Sequence, residues 1–314
     1  MCKERIMDLK QELIQKISQY IPEDRMMQNE PMKNHTTFRV GGPAALYLEL
    51  KSEQEFGDIL SLLHAEEEDY FTVGNGSNLL ISDTGYDGII LHPSKEFSDV
   101  RVEGERLICE SGATLAAIAR VALEQELTGF EFAAGIPGSL GGAIVMNAGA
   151  YDGEMKQVVE SVRLITSEGE IVTKSCEEMK FSYRHSILKE ESYLVLSVVI
   201  KLEKGDKEQI KARMDELATK RREKQPLEYP SAGSTFKRPE GYFAAKLIQD
   251  AGLRGFQVGG AQVSEKHCGF VINRENATAQ DIYELMQQVQ KRVQEAFGVV
   301  LEPEVIRLGE FEKG

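Results

Sequence analysis

Residues 129–153 read G-F-E-F-A-A-G-I-P-G-S-L-G-G-A-I-V-M-N-A-G-A-Y-D-G and hold seven glycines. A stretch so poor in side chains exposes its backbone, and glycine allows positive φ and a close main-chain approach to a ligand. Successive N–H groups in such turns form concavities for anions, and a diphosphate suits them. A second small-residue loop, V-G-N-G-S-N from Val73 to Asn78, follows a predicted strand. Tight structural turns are the plain reading of either loop, but both are longer and denser in glycine than a hairpin needs. Together they are expected to hold a dinucleotide. The Val73–Asn78 loop is not a Rossmann fingerprint, because its third glycine is missing and Gly85 and Gly88 interrupt any following helix. Nor is it a P-loop, since no Gly-Lys-Ser/Thr follows.

The 314 residues allow two or three domains, and 41% hydrophobic with 28% charged residues is ordinary globular composition. A net charge of −14 argues against general nucleic-acid binding, which needs a basic footprint. Cys2, Cys109, Cys176 and Cys268 show no metal or redox spacing, and reduced thiols are expected. No His, Cys or carboxylate cluster has metal-ligand spacing, so no metal is expected. The first residues mix charges among their apolar positions, which does not read as a signal peptide, and no apolar run is long enough to span a bilayer. A cytoplasmic protein without a membrane partner is expected.

Periodicity predicts an amphipathic helix over residues 3–20 on Ile6, Leu9, Leu13 and Ile17. A strand follows around Leu46–Leu50, then a helix capped by Ser52 with Glu55 as capping-box partner. Hairpins are expected at Glu103-Gly104-Glu105 and at Glu168-Gly169. Helices are expected from Thr114 through Leu127, after a Ser175/Glu178 box, over Lys207–Lys224, near Ala244–Ala251, and from a Thr278/Asp281 cap to Phe297. A last strand is predicted over Val299–Leu308. The pattern is α+β rather than regular βαβ alternation.

Several polar residues read two ways. Ser234 in A-G-S-T-F-K-R-P is a turn residue or a hydroxyl able to donate a proton in a transition state; no Gly-x-Ser-x-Gly elbow makes it a hydrolase nucleophile. Arg184 is a surface ion-pair partner or a guanidinium fork for an anion. Glu304 faces solvent from a strand, or is a carboxyl group in a cleft with its pKa raised. Lys246 and His267 are equally ambiguous. The run Lys220-Arg221-Arg222 with Lys224 is a solvated helix face or a diphosphate site.

N-H-T-T-F-R-V-G-G-P-A, V-G-N-G-S-N-L-L-I, A-G-I-P-G-S-L-G-G-A-I-V-M-N-A-G-A-Y, S-Y-R-H-S, A-G-S-T-F-K-R-P, G-G-A-Q-V-S-E-K-H-C-G-F-V-I-N and L-E-P-E-V occur in this order from Asn34 onward. In this combination the chain resembles the UDP-N-acetylenolpyruvoylglucosamine reductase family over nearly its whole length. The resemblance implies a two-subdomain FAD-binding fold of the vanillyl-alcohol-oxidase type, followed by an α+β substrate domain. The implied division is an N-terminal helix over 1–20, FAD subdomains over 21–92 and 93–220, and a substrate domain over 221–314. It implies NADPH as co-substrate and the enolpyruvyl ether of UDP-N-acetylglucosamine as substrate.

By motif match, the resemblance makes Ser234 the proton donor, with Arg184 and Glu304 as its catalytic partners. Cofactor contacts fall on Arg39, on Gly74, Asn75, Gly76, Ser77, Asn78 and Leu79, on Gly135, Pro137, Gly138, Ser139, Gly141 and Gly142, and on Asn147, Ala148 and Gly149. Substrate contacts fall on Tyr183, Lys224, Lys246 and His267. The Val73–Asn78 loop has no histidine, so FAD is expected to be non-covalent. The short interval between Arg184 and Ser234 resembles the subgroup that lacks an extra tyrosine-bearing loop. One subgroup has Asn where this chain has Arg238. Two other readings remain for the residues: an FAD-dependent oxidase that reduces oxygen, and a nucleotide-binding protein without catalysis.

Overall fold

The computed structural model describes residues 11–312. Residues 11–17 are helical, and Leu13 and Ile17 of the expected N-terminal helix are buried; Ile6 and Leu9 lie outside the described residues. In the first sheet Pro43–Leu50 pairs antiparallel with Met26–Pro31 and parallel with Tyr86–Pro93, which in turn pairs parallel with Tyr70–Thr72. The parallel crossover is made by the helix Glu53–Ala65, whose Phe56, Ile59, Leu60 and Leu63 pack against Leu46, Leu48 and Leu50. Ser52 caps that helix by accepting the Glu55 N–H at 3.2 Å. The expected return bond from Glu55 is not made. Its carboxylate is taken by the two terminal Arg25 guanidinium nitrogens at 2.7 and 2.8 Å and by the Lys51 N–H, a charge-assisted fork stronger than a neutral cap bond.

The second sheet is antiparallel, in the order Ile171–Ser175, Val159–Thr166, Tyr193–Lys201, Arg106–Glu110, Val100–Glu103. Both expected hairpins are present, turning at Gly104 and Gly169 with φ of 65° and 87°. The helix capped by Thr114 ends at Glu124, short of the expected Leu127. Glu126 turns left-handed (φ 57°), and Leu127–Thr128 pairs instead with Glu203–Lys204. Ser175 and Glu178 exchange both capping-box bonds, but the chain makes only a turn there, because Lys180 already has positive φ.

Helix Lys207–Lys224, capped by Asp206, lies against the second sheet's core through Met214. Beyond it, Gln257–Val258, Ala261–Val263 and Val271–Asn273 form a small antiparallel sheet. Helices Ala244–Asp250 and Ala279–Phe297 cover it, the second opened by the Thr278/Asp281 capping box and closed by left-handed Gly298. The predicted strand Val299–Leu308 shrinks to Ile306–Leu308. Pro303 has no N–H for a ladder; the chain on either side of it bonds to the Ser234 loop, Lys237 N–H to Glu302 O at 2.8 Å and Glu304 N–H to Thr235 O at 2.9 Å. Ile306–Leu308 then pairs parallel with Leu79–Ile81. The last segment thereby returns to the end of the first glycine loop, and Phe38, Val40 and Leu80 join the C-terminal apolar core.

Candidate active site

The two glycine loops meet. A Cβ on Gly74 would lie 2.0 Å from Ser139 Oγ and 3.1 Å from its Cβ, so glycine lets the first loop pack directly on the second. Gly76 has φ of 57°, and a Cβ there would lie 1.9 Å from the His35 carbonyl oxygen. Gly76→Ala therefore meets both left-handed strain and a backbone clash, at a cost of roughly 2 kcal/mol or more. We expect a lowered melting temperature, read by circular dichroism, and weakened retention of any nucleotide held by the loop. Among the described residues, no backbone N–H from Gly74 to Asn78 donates to another backbone group. A run of donors left open in this way suits the oxygens of a diphosphate.

Asn78 joins this loop to the C-terminal segment. Its Nδ2 donates to Glu304 O at 3.0 Å, and its carbonyl accepts the Ile306 N–H at 2.9 Å. Glu304 is thus held from both sides, by Asn78 and by Thr235. Thr235 is fully buried, and its hydroxyl accepts the Val271 N–H, which leaves neighbouring Ser234 exposed on the wall of the cleft. Arg184 stands in a turn closed by mutual Ser182 and His185 backbone bonds, with φ of 55°. Its Nε donates to Glu304 Oε1 at 2.6 Å, and the two side chains are 20% and 12% exposed. Burial pushes the Glu304 carboxyl above the ordinary glutamate range, and the Arg184 charge opposes that only in part. Lys189 donates to the Arg184 carbonyl at 2.9 Å and secures the strained residue.

These groups share one chamber of about 280 Å³, lined by Gly74–Leu79, by Pro137, Gly138, Ser139, Gly142, Ala148 and Gly149, and by Arg184, Ser234 and Glu304. Alone it is smaller than most ligand sites, which run ~300–1,000 Å³. It opens, past Gly74, Asn75, Pro137, Arg221 and Gln225, into a second chamber of about 670 Å³ that holds Arg39. A third, of about 250 Å³, adjoins at Gly74, Asn75 and Ser139. The joined cleft suits a long, two-ended ligand. Thr72 Oγ1 and Gln225 Oε1 in the first chamber, and Thr37 Oγ1 in the second, are buried without a hydrogen-bond partner. Unmet polar atoms beside open loop donors fit a polar nucleotide cofactor.

Other expected contacts stand elsewhere. Asn147 is fully buried, and its side chain serves the Glu154 carboxylate, Ser182 O and the Lys156 N–H. It shapes the loop rather than lining the cleft. Gly141 packs on Ser111, and Gly135 on the stem of Arg221. Lys224 is exposed beyond the cleft wall. Lys246 pairs with Asp250 one turn along its own helix, and His267 accepts the Gly269 N–H at 3.1 Å. Tyr183 is half exposed, lies 5.0 Å from the Arg184 guanidinium and accepts the Arg238 N–H at 3.1 Å. Of the basic run Lys220-Arg221-Arg222 with Lys224, Arg221 alone lines the cleft. Its helical phase carries the signal: Ile210, Met214 and Leu217 point inward, and Arg221 continues their stripe.

Residues 44–175 match the FAD binding domain family. Fold and cleft together define a flavoprotein of the vanillyl-alcohol-oxidase type. The 4-ethylphenol oxidase of Gulosibacter chungangensis shares the fold alone, at 14% identity and a TM-score of 0.50 over 62% of this chain and 43% of that one. Residues 225–308 match the C-terminal domain of UDP-N-acetylenolpyruvoylglucosamine reductase. The protein of that name from Caldanaerobacter subterraneus subsp. tengcongensis is 53% identical over 95% of this chain and 98% of its own. The crystal structure of the Thermus caldophilus reductase superposes with a TM-score of 0.78 at 34% identity, covering 90% of this chain and 98% of that one. The chain belongs to the UDP-N-acetylenolpyruvoylglucosamine reductase family.

Proposed function

We infer that this chain is an FAD-dependent, NADPH-consuming oxidoreductase that reduces the enolpyruvyl ether of UDP-N-acetylglucosamine to UDP-N-acetylmuramate in peptidoglycan precursor synthesis. The observation that carries the assignment of roles is the Arg184–Glu304 pair on the same chamber wall as Ser234 and both glycine loops. FAD, when bound, accepts hydride from NADPH and supplies it to the enolpyruvyl double bond. The open N–H groups of Gly74–Asn78, the small residues around Ser139 and Arg39 in the adjoining chamber would hold the cofactor. The Val73–Asn78 loop carries no histidine, which supports non-covalent attachment.

Arg184 meets the substrate carboxylate, where negative charge grows as the β-carbon is reduced; a cation already in place there lowers that barrier. Glu304 holds the guanidinium in direction and, when protonated, donates a hydrogen bond to the same carboxylate. Ser234 gives its proton to the α-carbon and sets the lactyl stereocentre. Of the expected substrate contacts, Tyr183 at the rim is the one whose position supports the role. We assign the unit beginning near residue 225 to substrate closure. The interval between Arg184 and Ser234 is filled by Tyr193–Lys201 and Lys207–Lys224, which supports the subgroup without an added tyrosine loop. Among the described residues no helix is long and apolar enough to cross a membrane. Use of NADPH and a nucleotide sugar supports a cytoplasmic location.

The test begins with the visible spectrum of the purified protein, which should be yellow. Anaerobic NADPH should bleach it, and the enolpyruvyl nucleotide should restore colour far faster than air does. Reoxidation by air alone identifies an oxidase instead. A colourless protein that releases no flavin on heating refutes the assignment. The raised Glu304 pKa adds a pH signature: its proton is kept above the ordinary range and lost as pH rises, so the substrate step should slow on an alkaline limb. Glu304→Gln, always a neutral donor, should flatten that limb. An unchanged limb in single-turnover rates rules out Glu304 as its source.

A further inference from the structure

We propose that Arg221 and Gln225, one helical turn apart, form a reader for an imide edge: the carbonyl, N–H, carbonyl face that the isoalloxazine ring of FAD shares with uracil. The inference rests on the functional reading above. Both residues line the passage common to the first and second chambers. Neighbouring cations are occupied, Lys220 with Glu216 and Arg222 with Thr219. Arg221 has no acidic partner among the described residues, although burial works against its charge. The wall is built around its stem, since a Cβ on Gly135 would lie 3.2 Å from Arg221 Cδ. Gln225 Oε1 is an acceptor closed off from solvent with no donor to satisfy it.

That unmet acceptor decides between ligand chemistries. A phosphate presents acceptors, so a wall made to bind one needs donors only. An imide presents two acceptors flanking one N–H and needs a donor, an acceptor and a second donor. A carboxamide supplies an adjacent donor and acceptor, and a guanidinium supplies the remaining donor. The pair has this composition, and Gln225 Oε1 takes no hydrogen bond from Arg221 in this structure.

The experiment compares ligands that differ by one methyl group at the imide nitrogen. In one arm, apo-protein is titrated with FAD and 3-methyl-FAD by flavin fluorescence. In the other, FAD-loaded protein is titrated with UDP-N-acetylglucosamine and its 3-methyluridine analogue by perturbation of the flavin absorbance. We expect at least about tenfold weaker binding of the methylated ligand in one arm, which identifies the ring that is read. In Gln225→Leu, the parent ligand should lose a similar factor and the difference between the two ligands should collapse. Equal binding in both arms overturns the proposal, as does discrimination that survives in Gln225→Leu. A protein that binds no FAD at all refutes the functional reading instead. The wild-type comparison stands even if the variant melts early.

Discussion

Ser234→Ala is expected to leave reduction of the bound FAD by NADPH at the wild-type rate and to slow its reoxidation by the enolpyruvyl nucleotide by about 10²–10⁴-fold, the usual worth of a positioned proton donor. The selectivity follows from position. Ser234 lies outside the glycine loops and contributes nothing to the Gly74–Ser139 contact. The hydroxyl can be removed without disturbing its support, because the neighbouring bonds belong to others: Thr235 N–H to Gly269 O, Thr235 O to the Glu304 N–H, and Thr235 Oγ1 to the Val271 N–H. The melting temperature should therefore hardly move. Stopped-flow absorbance at the flavin band separates the two half-reactions. Equal losses in both would end the assignment of Ser234 as proton donor.

Arg184→Lys should cost about 10²-fold or more in the same half-reaction, comparable with removing one preorganised donor from an oxyanion site. Lysine keeps the charge but not the planar fork. In the present geometry Nε is committed to Glu304 at 2.6 Å, and a lysine has a single nitrogen to serve both carboxylates. The backbone offers a control. Arg184 sits at φ of 55°, held by the Ser182–His185 turn and by Lys189. Lysine pays no more strain there than arginine does, so stability should be nearly unchanged while the rate falls. Parallel loss of stability and rate would mean that the arginine is a structural tie instead. Lys189→Met should reproduce part of the effect by releasing the Arg184 carbonyl, with a weaker substrate KM as its main sign.

Much of the local structure was legible in order along the chain. The helix Lys207–Lys224 keeps its expected span, and the helix opened by Thr278/Asp281 runs to Phe297 as expected. Hairpins at Gly104 and Gly169 follow from turn residues between alternating strands. The errors lie where a distant partner competes. Glu55 leaves its cap for Arg25, Leu127 leaves its helix for a strand partner near Glu203, and the segment from Val299 is claimed by the Ser234 loop before it can become a strand. In each case the local preference is worth a few tenths of a kilocalorie to about 1 kcal/mol, which one charge pair or one short ladder exceeds.

The chain's own order of residues determined the glycine loops, the residue types able to bind an anion and pass a proton, and the helices with strong caps, because glycine density, spacing and capping act over a few neighbours. Convergence was decided only in three dimensions. Arg184 and Glu304 are 120 positions apart, and Asn78 and Glu304 are 226; nothing local joins them until Ile306–Leu308 docks beside Leu79–Ile81. The same folding turned Arg221 inward and left Lys224 and Lys246 in solvent. Which of several identical charges faces a cleft depends on what packs behind it, and that support comes from remote parts of the chain.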